Sequence, residues 1–550
     1  MTVSDDALSS ASETHPQRIE TDYQIGQDNI DAQFGPFKFD VHHPTFPISS
    51  LAIIAFVIIT LMFQDTLGPL YNHLKGWLSA HLDWFFTSAV NIMLLFCIVL
   101  ILSPLGKIRL GGVNAKPDYS YTGWLSMLFA AGMGIGLMFY GVSEPISHFN
   151  TAMAAPGSEL SSGAPLAGAP GDAQAAERLA MAATNLHWAL HPWAIYAVVG
   201  LALALLSYNK CLPLSMRSIF YPIFGERIWG WPGHAIDILA VFATLFGLAT
   251  SLGFGAEQAN AGLNYLFGIP QTNTSKVILI SAITGCALLS VVAGLDSGIK
   301  RLSEFNMALA ALMLLFVVIV GPTTLILTGF FSNLWAYAEN LIPLSMPFGR
   351  TDTQFTQEWS ATYWAWWISW SPFVGLFIAR VSRGRTVREF LVCVLLVPSL
   401  LCIFWMTALG GTAIDQIVTD GYQAVVEAPL ELKLFKMLAA LPLTAITSFV
   451  GIVLVLVFFV TSSDSGSLVI DTITAGGKLE APVLQRIFWC IFEGLAAIAL
   501  LLGGGLGALQ AMAISTGFPF AIVLLLACYA VLRSLLSEPK QQTTAAPQSA

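Results

Sequence analysis

The chain has 550 residues, of which 56% are apolar and only 10% are Asp, Glu, Lys or Arg, and its formal net charge is −9. A soluble globular protein carries about 25% charged residues, so the composition excludes an ordinary soluble protein. Apolar runs of about 20 residues, each long enough to cross the hydrocarbon layer of a membrane, recur along the chain. We therefore expect a single membrane domain of the all-α class.

The first 46 residues differ from the rest of the chain. They contain eight Asp or Glu residues against Arg18 and Lys38, and they lack the basic start and apolar core of a secretory signal peptide. Such a polar, acidic composition is typical of a segment that does not fold by itself. We therefore predict a disordered cytoplasmic tail over residues 1–46, a membrane domain over residues 47–536 and a short polar tail over residues 537–550.

Twelve apolar stretches are predicted to be membrane-spanning helices. With the N-terminus placed in the cytoplasm, 18 of the 24 Lys and Arg residues fall on the cytoplasmic side, as the positive-inside rule requires. An odd error in the number of spans would destroy this bias. We therefore expect a multi-pass membrane protein with both termini in the cytoplasm. The predicted spans are approximately 48–66, 86–104, 121–149, 184–207, 234–264, 276–296, 306–330, 358–381, 389–412, 444–465, 484–503 and 508–534.

Three glycines at alternate positions interrupt the third predicted span, namely Gly132, Gly134 and Gly136. Each destabilises a helix by roughly 1 kcal/mol relative to Ala. An unwound segment at mid-membrane frees carbonyl groups for a cation and amide groups for a carboxylate. The alternative is a face of small residues for close helix packing, and the spacing alone does not separate the two.

Aromatic residues crowd the fourth and eighth predicted spans. Trp usually lies at the membrane interface, but four Trp within seven residues cover more than one helix face. A trimethylammonium group has no N–H to donate, and ring faces hold it with about 0.5–2 kcal/mol each. Interfacial anchoring combined with bulky packing is the alternative. The residues concerned are Trp188, Trp193 and Tyr196 in the fourth span, and Trp364, Trp366, Trp367 and Trp370 in the eighth.

Hydroxyl groups cluster in the tenth span, where Thr461, Ser462 and Ser463 follow the apolar run that ends at Phe458-Phe459-Val460. Oxygen ligands suit a hard cation such as sodium. Helix capping by Ser and the following Asp464 is the alternative.

Other polar residues in the spans are interpreted as structural. We expect Glu144, Glu257 and Glu493 to be structural partners or cavity-facing groups rather than a proton relay. His187 and His191 have a spacing that can bind a metal, but no third ligand is evident, which favours packing or hydrogen bonding. The spans contain no nucleophile–base or metal constellation, so the sequence does not predict an enzyme.

Together, these motifs resemble the betaine/choline/carnitine transporter family. The likeness extends over about residues 48–535, and the tryptophan-rich pattern of the eighth span is the most specific part of it. The matching patterns are GMGIGLMFYG at 132–141 with Glu144-Pro145, HWALHPWAIY at 187–196, WAWWISWSPF at 364–373 and TSSDSG at 461–466.

The resemblance implies the fold of sodium-coupled amino-acid symporters, with two inverted five-helix repeats (spans 3–7 and 8–12) after two extra N-terminal helices. It implies a location in the bacterial inner membrane, alternating access around a central site and, as is frequent in the family, a homotrimer. It places the aromatic cage at Trp188, Trp193, Tyr196 and Trp367, with Trp366 and Trp370 along the pathway. The glycine segment of Gly132, Met133, Gly134 and Gly136 borders the substrate. The implied sodium ligands are the backbone of Ala130, Met133 and Phe458 and the hydroxyls of Thr461 and Ser462.

The chain departs from the family at a second sodium site. Betaine carriers form it from two threonines four residues apart in the fifth helix and an aromatic residue of the eighth. Thr244 and Phe373 occupy two of these places, but Leu248 stands where the second threonine belongs. The second sodium, and so the stoichiometry, is therefore open.

The glycine segment also bears on the substrate. Choline carriers of the family tend to have an acidic residue where this chain has Gly136. The resemblance therefore favours a zwitterion, and we predict import of glycine betaine with sodium as the coupling ion and no cofactor. Proton-coupled uptake or exchange of choline or carnitine is the alternative, and a channel or an intramembrane enzyme is disfavoured. The expected partners are a small-molecule substrate and the lipid membrane, and no nucleic acid.

Overall fold

The computed structural model describes residues 18–35, 37–132, 134–293 and 296–538, and most of them are α-helical. The helices of seven or more residues are labelled here in chain order. They are α1 (Thr45–Met62), α2 (Gln64–Leu102), α3 (Tyr121–Gly132), α4 (Ile135–Met153), α5 (Ala173–Trp188), α6 (Leu190–Ala204), α7 (Trp231–Phe267), α8 (Asn273–Ala293), α9 (Asp296–Val320), α10 (Thr323–Ser345), α11 (Ala361–Val381), α12 (Val387–Met406), α13 (Thr412–Val418), α14 (Lys433–Ala439), α15 (Thr444–Thr474) and α16 (Val483–Leu536). Short helical turns lie between several of them.

Two antiparallel strands precede α1. Strands β1 (Asn29–Phe34) and β2 (Phe37–His42) pair with Asn29 opposite His42. The strand pair is fixed to the α15–α16 connection by Asp40, whose carboxylate lies 2.5 Å from Nζ of Lys478. Over these residues the structure differs from the disordered tail expected from composition. The apolar–polar alternation of residues 37–42 is the pattern of a strand, and the acidic composition obscured it.

The helices confirm a multi-pass, all-α membrane protein, but not the predicted number of spans. Among the described residues, nine helices are long and apolar enough to cross a membrane, and the bent pair α3–α4 makes a tenth. Two of the predicted spans fall in the 54-residue helix α16. Helix α11 is not among the nine, because its Trp and Ser residues and Arg380 lower its hydropathy. The inverted-repeat arrangement stays a prediction.

One predicted boundary is wrong. The span predicted over residues 306–330 runs through Pro322, whereas α9 ends at Val320 and α10 begins at Thr323. Proline has no backbone N–H, and its ring clashes with the carbonyl group four residues earlier, so the helix stops before it.

The last two predicted spans meet at a bend inside α16. Gly504 and Gly505 have non-helical backbone angles, and φ of Gly505 is +65°. That left-handed conformation strongly favours glycine. The predicted division at residues 503–508 therefore coincides with a break in helix direction.

Helices α5 and α6 lie at the centre of the molecule. Of their most apolar stretch, 94% is buried by protein, against 22% for the corresponding stretch of α9, which faces outwards. Helix α11 packs against α6, α7 and α16. The two aromatic-rich segments of the sequence are therefore brought together in the interior.

Candidate functional site

Four aromatic rings form a continuous row at the centre of the molecule. Trp188 and Trp367 lie 4.9 Å apart between ring centroids at 75°. Trp367 and Tyr196 lie 6.4 Å apart at 79°, and Tyr196 and Trp193 lie 5.3 Å apart at 78°. All four side chains are buried. The rings assigned to a cage from the sequence thus contact one another edge to face, the geometry that aromatic pairs prefer.

The chain breaks between α5 and α6, directly after the cage residue Trp188. Helix α5 ends at Trp188, and Ala189 has the non-helical angles φ −100° and ψ −120°. In a continuous helix the ring of Pro192 would clash with the carbonyl group of Trp188. The proline therefore explains why the chain changes direction directly after Trp188.

Trp366 and Trp370 extend the cage towards α7. The ring of Trp366 stacks on that of Trp367 at 4.6 Å and 14°. The hydroxyl oxygen of Ser251 accepts hydrogen bonds from Nε1 of Trp366 at 3.1 Å and from Nε1 of Trp370 at 2.9 Å. Trp366 is buried and Trp370 is half-buried. The aromatic residues predicted to face the bundle interior therefore do so.

The glycine segment interrupts the helix beside the cage. Helices α3 and α4 meet at 61°, and Gly134 between them has an extended backbone, with φ −172° and ψ −177°. Met133, expected to contribute to both the substrate and the sodium site, lies outside the described residues. The predicted interruption of the third span is therefore present, and it lies between Gly132 and Ile135.

Two of the three glycines border cage rings. A Cβ atom on Gly136 would lie 2.7 Å from Cη2 of Trp188, and one on Gly132 would lie 3.5 Å from Cζ2 of Trp193. A Cβ atom on Gly134 would meet nothing within 4 Å. The absence of a side chain at Gly136 therefore makes room for Trp188, whereas Gly134 faces open space at the break.

Four indole N–H groups, those of Trp188, Trp366, Trp367 and Trp370, are bonded to groups within the protein. Trp188 donates to Oε2 of Glu144 at 2.7 Å, and Trp367 donates to the carbonyl oxygen of His187 at 2.8 Å. Trp366 and Trp370 donate to Ser251, as described above. With their donors bonded within the protein, the rings offer π faces, which attract a cation without requiring a donor or an acceptor from it.

Comparison with known proteins agrees with these patterns. The model of the betaine/carnitine/choline family transporters matches residues 44–540. A glycine betaine/proline/choline transporter of Vibrio parahaemolyticus is 62% identical over 96% of each chain. Glycine betaine transporter 1 of the same organism is 51% identical over 94% of this chain and 97% of its own. A glycine betaine transporter of Acinetobacter baylyi is 42% identical over 90% of this chain and 74% of its own.

The chain belongs to the betaine/carnitine/choline transporter family. It is therefore a multi-pass membrane transporter of a family that carries quaternary-ammonium solutes, and it is not an enzyme. The resemblance read from the sequence motifs is confirmed.

Of the sodium ligands expected from the family, Ala130 lies on α3, and Phe458, Thr461 and Ser462 lie on α15. Oγ1 of Thr461 donates within its own helix, to the carbonyl oxygens of Val457 at 3.0 Å and Phe458 at 3.2 Å. Ala130 and Ser462 are half-buried. A Cβ atom on Gly255 of α7 would lie 3.4 Å from the ring of Phe459 and 3.3 Å from the side chain of Ile135, at the start of α4. The hydroxyl segment of α15 is thus near the break between α3 and α4.

The residues expected at a second sodium site make the following contacts in this transporter. Oγ1 of Thr244 donates to the carbonyl oxygen of Ala240 at 2.7 Å. Leu248 packs so closely on Gly466 of α15 that a Cβ atom there would lie 2.3 Å from it. Phe373 packs on Trp370, with ring centroids 5.1 Å apart. Leu248 therefore contributes apolar packing where betaine carriers have a threonine hydroxyl.

The buried acidic residues have partners in the protein. Oε1 of Glu257 lies 2.6 Å from Nζ of Lys276. Ser463 donates to Oε2 of Glu493 at 3.1 Å. Asp464 is the alternative helix cap in the sequence analysis, and its Oδ1 lies 2.6 Å from Nη2 of Arg486 in an ion pair.

The roles of two residues, Ser251 and Glu144, in supporting the cage were not predicted from the sequence. Ser251 had no signal, because a lone serine in a long apolar helix is unremarkable in the sequence. Glu144 was noticed, but its bond to Trp188 could not be inferred, since the two residues are 44 positions apart.

Proposed function

We propose that this transporter imports a quaternary-ammonium compatible solute, glycine betaine before others, in symport with sodium and by alternating access. The observation that carries the proposal is the buried row of Trp188, Trp367, Tyr196 and Trp193, with the indole N–H groups of Trp188 and Trp367 bonded to the protein. Methyl groups on nitrogen leave only a diffuse positive charge, which ring faces attract. The relatives named above as glycine betaine transporters support the same substrate class.

The surroundings of Gly136 favour a zwitterion over a free cation. Positions 130–136 contain no acidic residue. A carboxylate side chain at position 136 would have to displace Trp188 and Trp366, since a Cβ atom there would lie 2.7 and 3.1 Å from their rings. Glycine betaine carries its own carboxylate, which the free amide groups of the helix break can bind. Choline would lack a counter-charge there.

The charge of the substrate explains why a co-transported ion is needed. A zwitterion gains nothing from the membrane potential, whereas each co-transported charge supplies about 2.3 kcal/mol per 100 mV. Thr461 and Ser462 retain the hydroxyls that the family uses for sodium. The proposal includes the inner membrane, cytoplasmic termini and a homotrimeric assembly.

Uptake into proteoliposomes tests the proposal. Purified protein is reconstituted, and entry of radiolabelled glycine betaine, choline and carnitine is measured with an inward gradient of sodium, of protons or of neither. We expect saturable betaine uptake that accumulates only with the sodium gradient. Equal betaine uptake without sodium contradicts sodium coupling, and choline uptake driven by protons supports the alternative. Flux that does not saturate with substrate indicates a channel.

A further inference from the structure

A fully buried carboxylate lies directly behind the aromatic cage. Glu144 of α4 is 0% exposed, and its carboxylate faces four side chains. Nε1 of Trp188 donates to Oε2 at 2.7 Å, and the hydroxyl of Tyr363 donates to the same oxygen. Nδ1 of His187 lies 2.6 Å from Oε1, and Nε2 of His148 lies 3.2 Å from it. Each carboxylate oxygen therefore has two partners.

This cluster is a hydrogen-bond network and not a metal site. The ligand atoms of Glu144, His148 and His187 lie within 4.8 Å of one another. A metal ion bound by both residues would lie ~2.0–2.2 Å from Oε1 of Glu144 and from Nδ1 of His187. These two atoms are 2.6 Å apart, which is a hydrogen-bond distance and too short for two ligands of one ion. The other nitrogen of His187 is bonded to Oγ of Ser360 at 2.9 Å.

A carboxylate at this position can accept at both of its oxygens. An indole N–H is a donor only, so the oxygen that faces Trp188 must accept. The Tyr363 hydroxyl donates to the same oxygen, and the two imidazoles face the other. A glutamine with its oxygen towards Trp188 and Tyr363 would turn its NH₂ towards the imidazoles, so it would lack the negative charge that strengthens the indole hydrogen bond, and Nδ1 of His187 and Nε2 of His148 would both have to accept. Glutamine is therefore nearly the same size as Glu144 but not equivalent to it.

The network reaches both sides of the cage. Glu144 accepts a hydrogen bond from the N–H of Trp188, and Cη2 of the same indole lies beside Gly136, where a side chain would leave no room for it. The network reaches Trp367 through His187, whose carbonyl oxygen accepts the Trp367 N–H at 2.8 Å. The relative position of the two rings is thus set by groups attached to one carboxylate.

We propose that Glu144 is a positioning residue for the substrate, which fixes the Trp188 indole so that its face meets the quaternary ammonium group. The inference rests on the function proposed above. It assigns Glu144 no contact with the substrate, since the indole lies between them. Loss of the carboxylate is then expected to weaken substrate binding through Trp188 and not through any other ring.

A double-mutant cycle in proteoliposomes tests this assignment. KM and maximal rate of glycine betaine uptake are measured at saturating sodium for wild type, Glu144→Gln, Trp188→Phe and the double variant. Phenylalanine keeps a ring face but has no N–H for Glu144. We expect E144Q to raise KM at least fivefold with less than a twofold change in maximal rate. We expect E144Q to add no more than twofold in the Trp188→Phe background.

Two control variants sharpen the cycle. E144Q combined with Trp193→Phe is expected to be additive, because Trp193 is a cage ring that does not share the Glu144 contacts. Glu257→Gln, which removes the carboxylate of α7 that pairs with Lys276 of α8, is expected to leave KM within twofold of wild type. Each variant is checked by gel filtration and thermal unfolding. If E144Q does not fold, Glu144→Asp, which keeps the charge but withdraws the oxygens, replaces it with the same expectations.

The outcomes separate this inference from the proposed function. If wild type takes up glycine betaine while E144Q or E144D stays within twofold of its KM, Glu144 does not position the cage and only this inference fails. An E144Q effect of equal size in the Trp188→Phe and Trp193→Phe backgrounds overturns it as well, because the effect then is not transmitted through Trp188. If wild type does not take up betaine, the proposed function itself fails.

Discussion

The aromatic cage and the predicted sodium ligands lie close together but differ in how their polar groups are satisfied. In the cage, the N–H groups of Trp188 and Trp367 are bonded to groups on other parts of the protein. On α15, within the part of the chain that the structure describes, the hydroxyl of Thr461 is bonded to carbonyl groups of its own helix, at Val457 and Phe458. The N–H groups of Trp188 and Trp367 are thus bonded to other helices, whereas the hydroxyl of Thr461 is bonded within its own helix.

The difference indicates how each part would respond to its ligand. A ring fixed by hydrogen bonds needs little ordering when a substrate binds, so less binding free energy is lost. Sodium, in contrast, would compete with Thr461 for the carbonyl oxygen of Phe458. We therefore expect ion binding to change α15 locally, and substrate binding to leave the cage much as it is.

The largest effect is expected from removing a cage ring. Trp367→Ala removes the ring that contacts both Trp188 and Tyr196. Since one cation–π contact contributes about 0.5–2 kcal/mol and neighbouring rings lose their support, betaine affinity should fall about tenfold or more. The measurement is the KM of betaine uptake. Trp335→Ala, which removes an indole that is 67% exposed on α10, is the control and should leave KM unchanged. Equal KM values for both variants contradict the cage.

The two glycines at the helix break offer a matched pair with a smaller effect. Gly136→Ala places a methyl group 2.7 Å from Trp188, and Gly134→Ala places one in open space. Overpacking of this kind costs about 1–3 kcal/mol, so we expect KM for betaine to rise about fivefold for Gly136→Ala. The extended backbone of Gly134 suits any residue, so Gly134→Ala should stay within twofold. The reverse order would show that the break, and not the room for Trp188, is what the substrate requires.

Local sequence patterns predicted most of the cage but not its support. The spacing of Trp364, Trp366, Trp367 and Trp370 exceeds one helix face, and this alone placed rings inside the bundle. Helix breaks at glycine were also predictable, because the backbone preference is local. The hydrogen bonds of Trp188 to Glu144 and of Trp366 to Ser251 join residues 44 and 115 positions apart, and no local pattern specifies such pairs.

Composition was a poorer guide than periodicity. The acidic N-terminal segment was predicted to be disordered, yet Phe37–His42 forms a strand. The span predicted over residues 306–330 follows the average hydropathy of the segment, although Pro322 within it ends a helix. Helix α11 has too low a hydropathy for a simple membrane span, because its tryptophans and serines serve the interior and not the lipid. In each case a specific residue pattern outweighs the average over the segment.

An intermediate effect is expected at the hydroxyl segment. Thr461→Ala removes one predicted ligand together with its bonds to Val457 and Phe458. We expect the sodium concentration that gives half-maximal betaine uptake to rise about threefold or more, while KM at saturating sodium changes less than twofold; one hydrogen-bonding group contributes about 1 kcal/mol. Thr472→Ala, which removes a threonine bonded to its own helix about three turns further along α15, is the control. Unchanged sodium dependence in Thr461→Ala removes this residue from the ion site.

The smallest effect on transport is expected at Ser251, and it bears most directly on the idea that the indole N–H groups of the cage are bonded to other helices. Ser251→Ala leaves the N–H of Trp366 without its acceptor, while Trp370 keeps a bond to the carbonyl oxygen of Gly247 at 3.0 Å. An unsatisfied buried donor costs about 1–3 kcal/mol, so the midpoint of thermal unfolding should fall by several degrees. Because Trp366 also stacks on Trp367, KM for betaine should rise only about twofold. Ser399→Ala, a buried serine bonded to its own helix, is the control and should change neither quantity. If Ser251→Ala changes KM as much as Trp367→Ala does, Ser251 binds the substrate itself and the cage is not held in the way described.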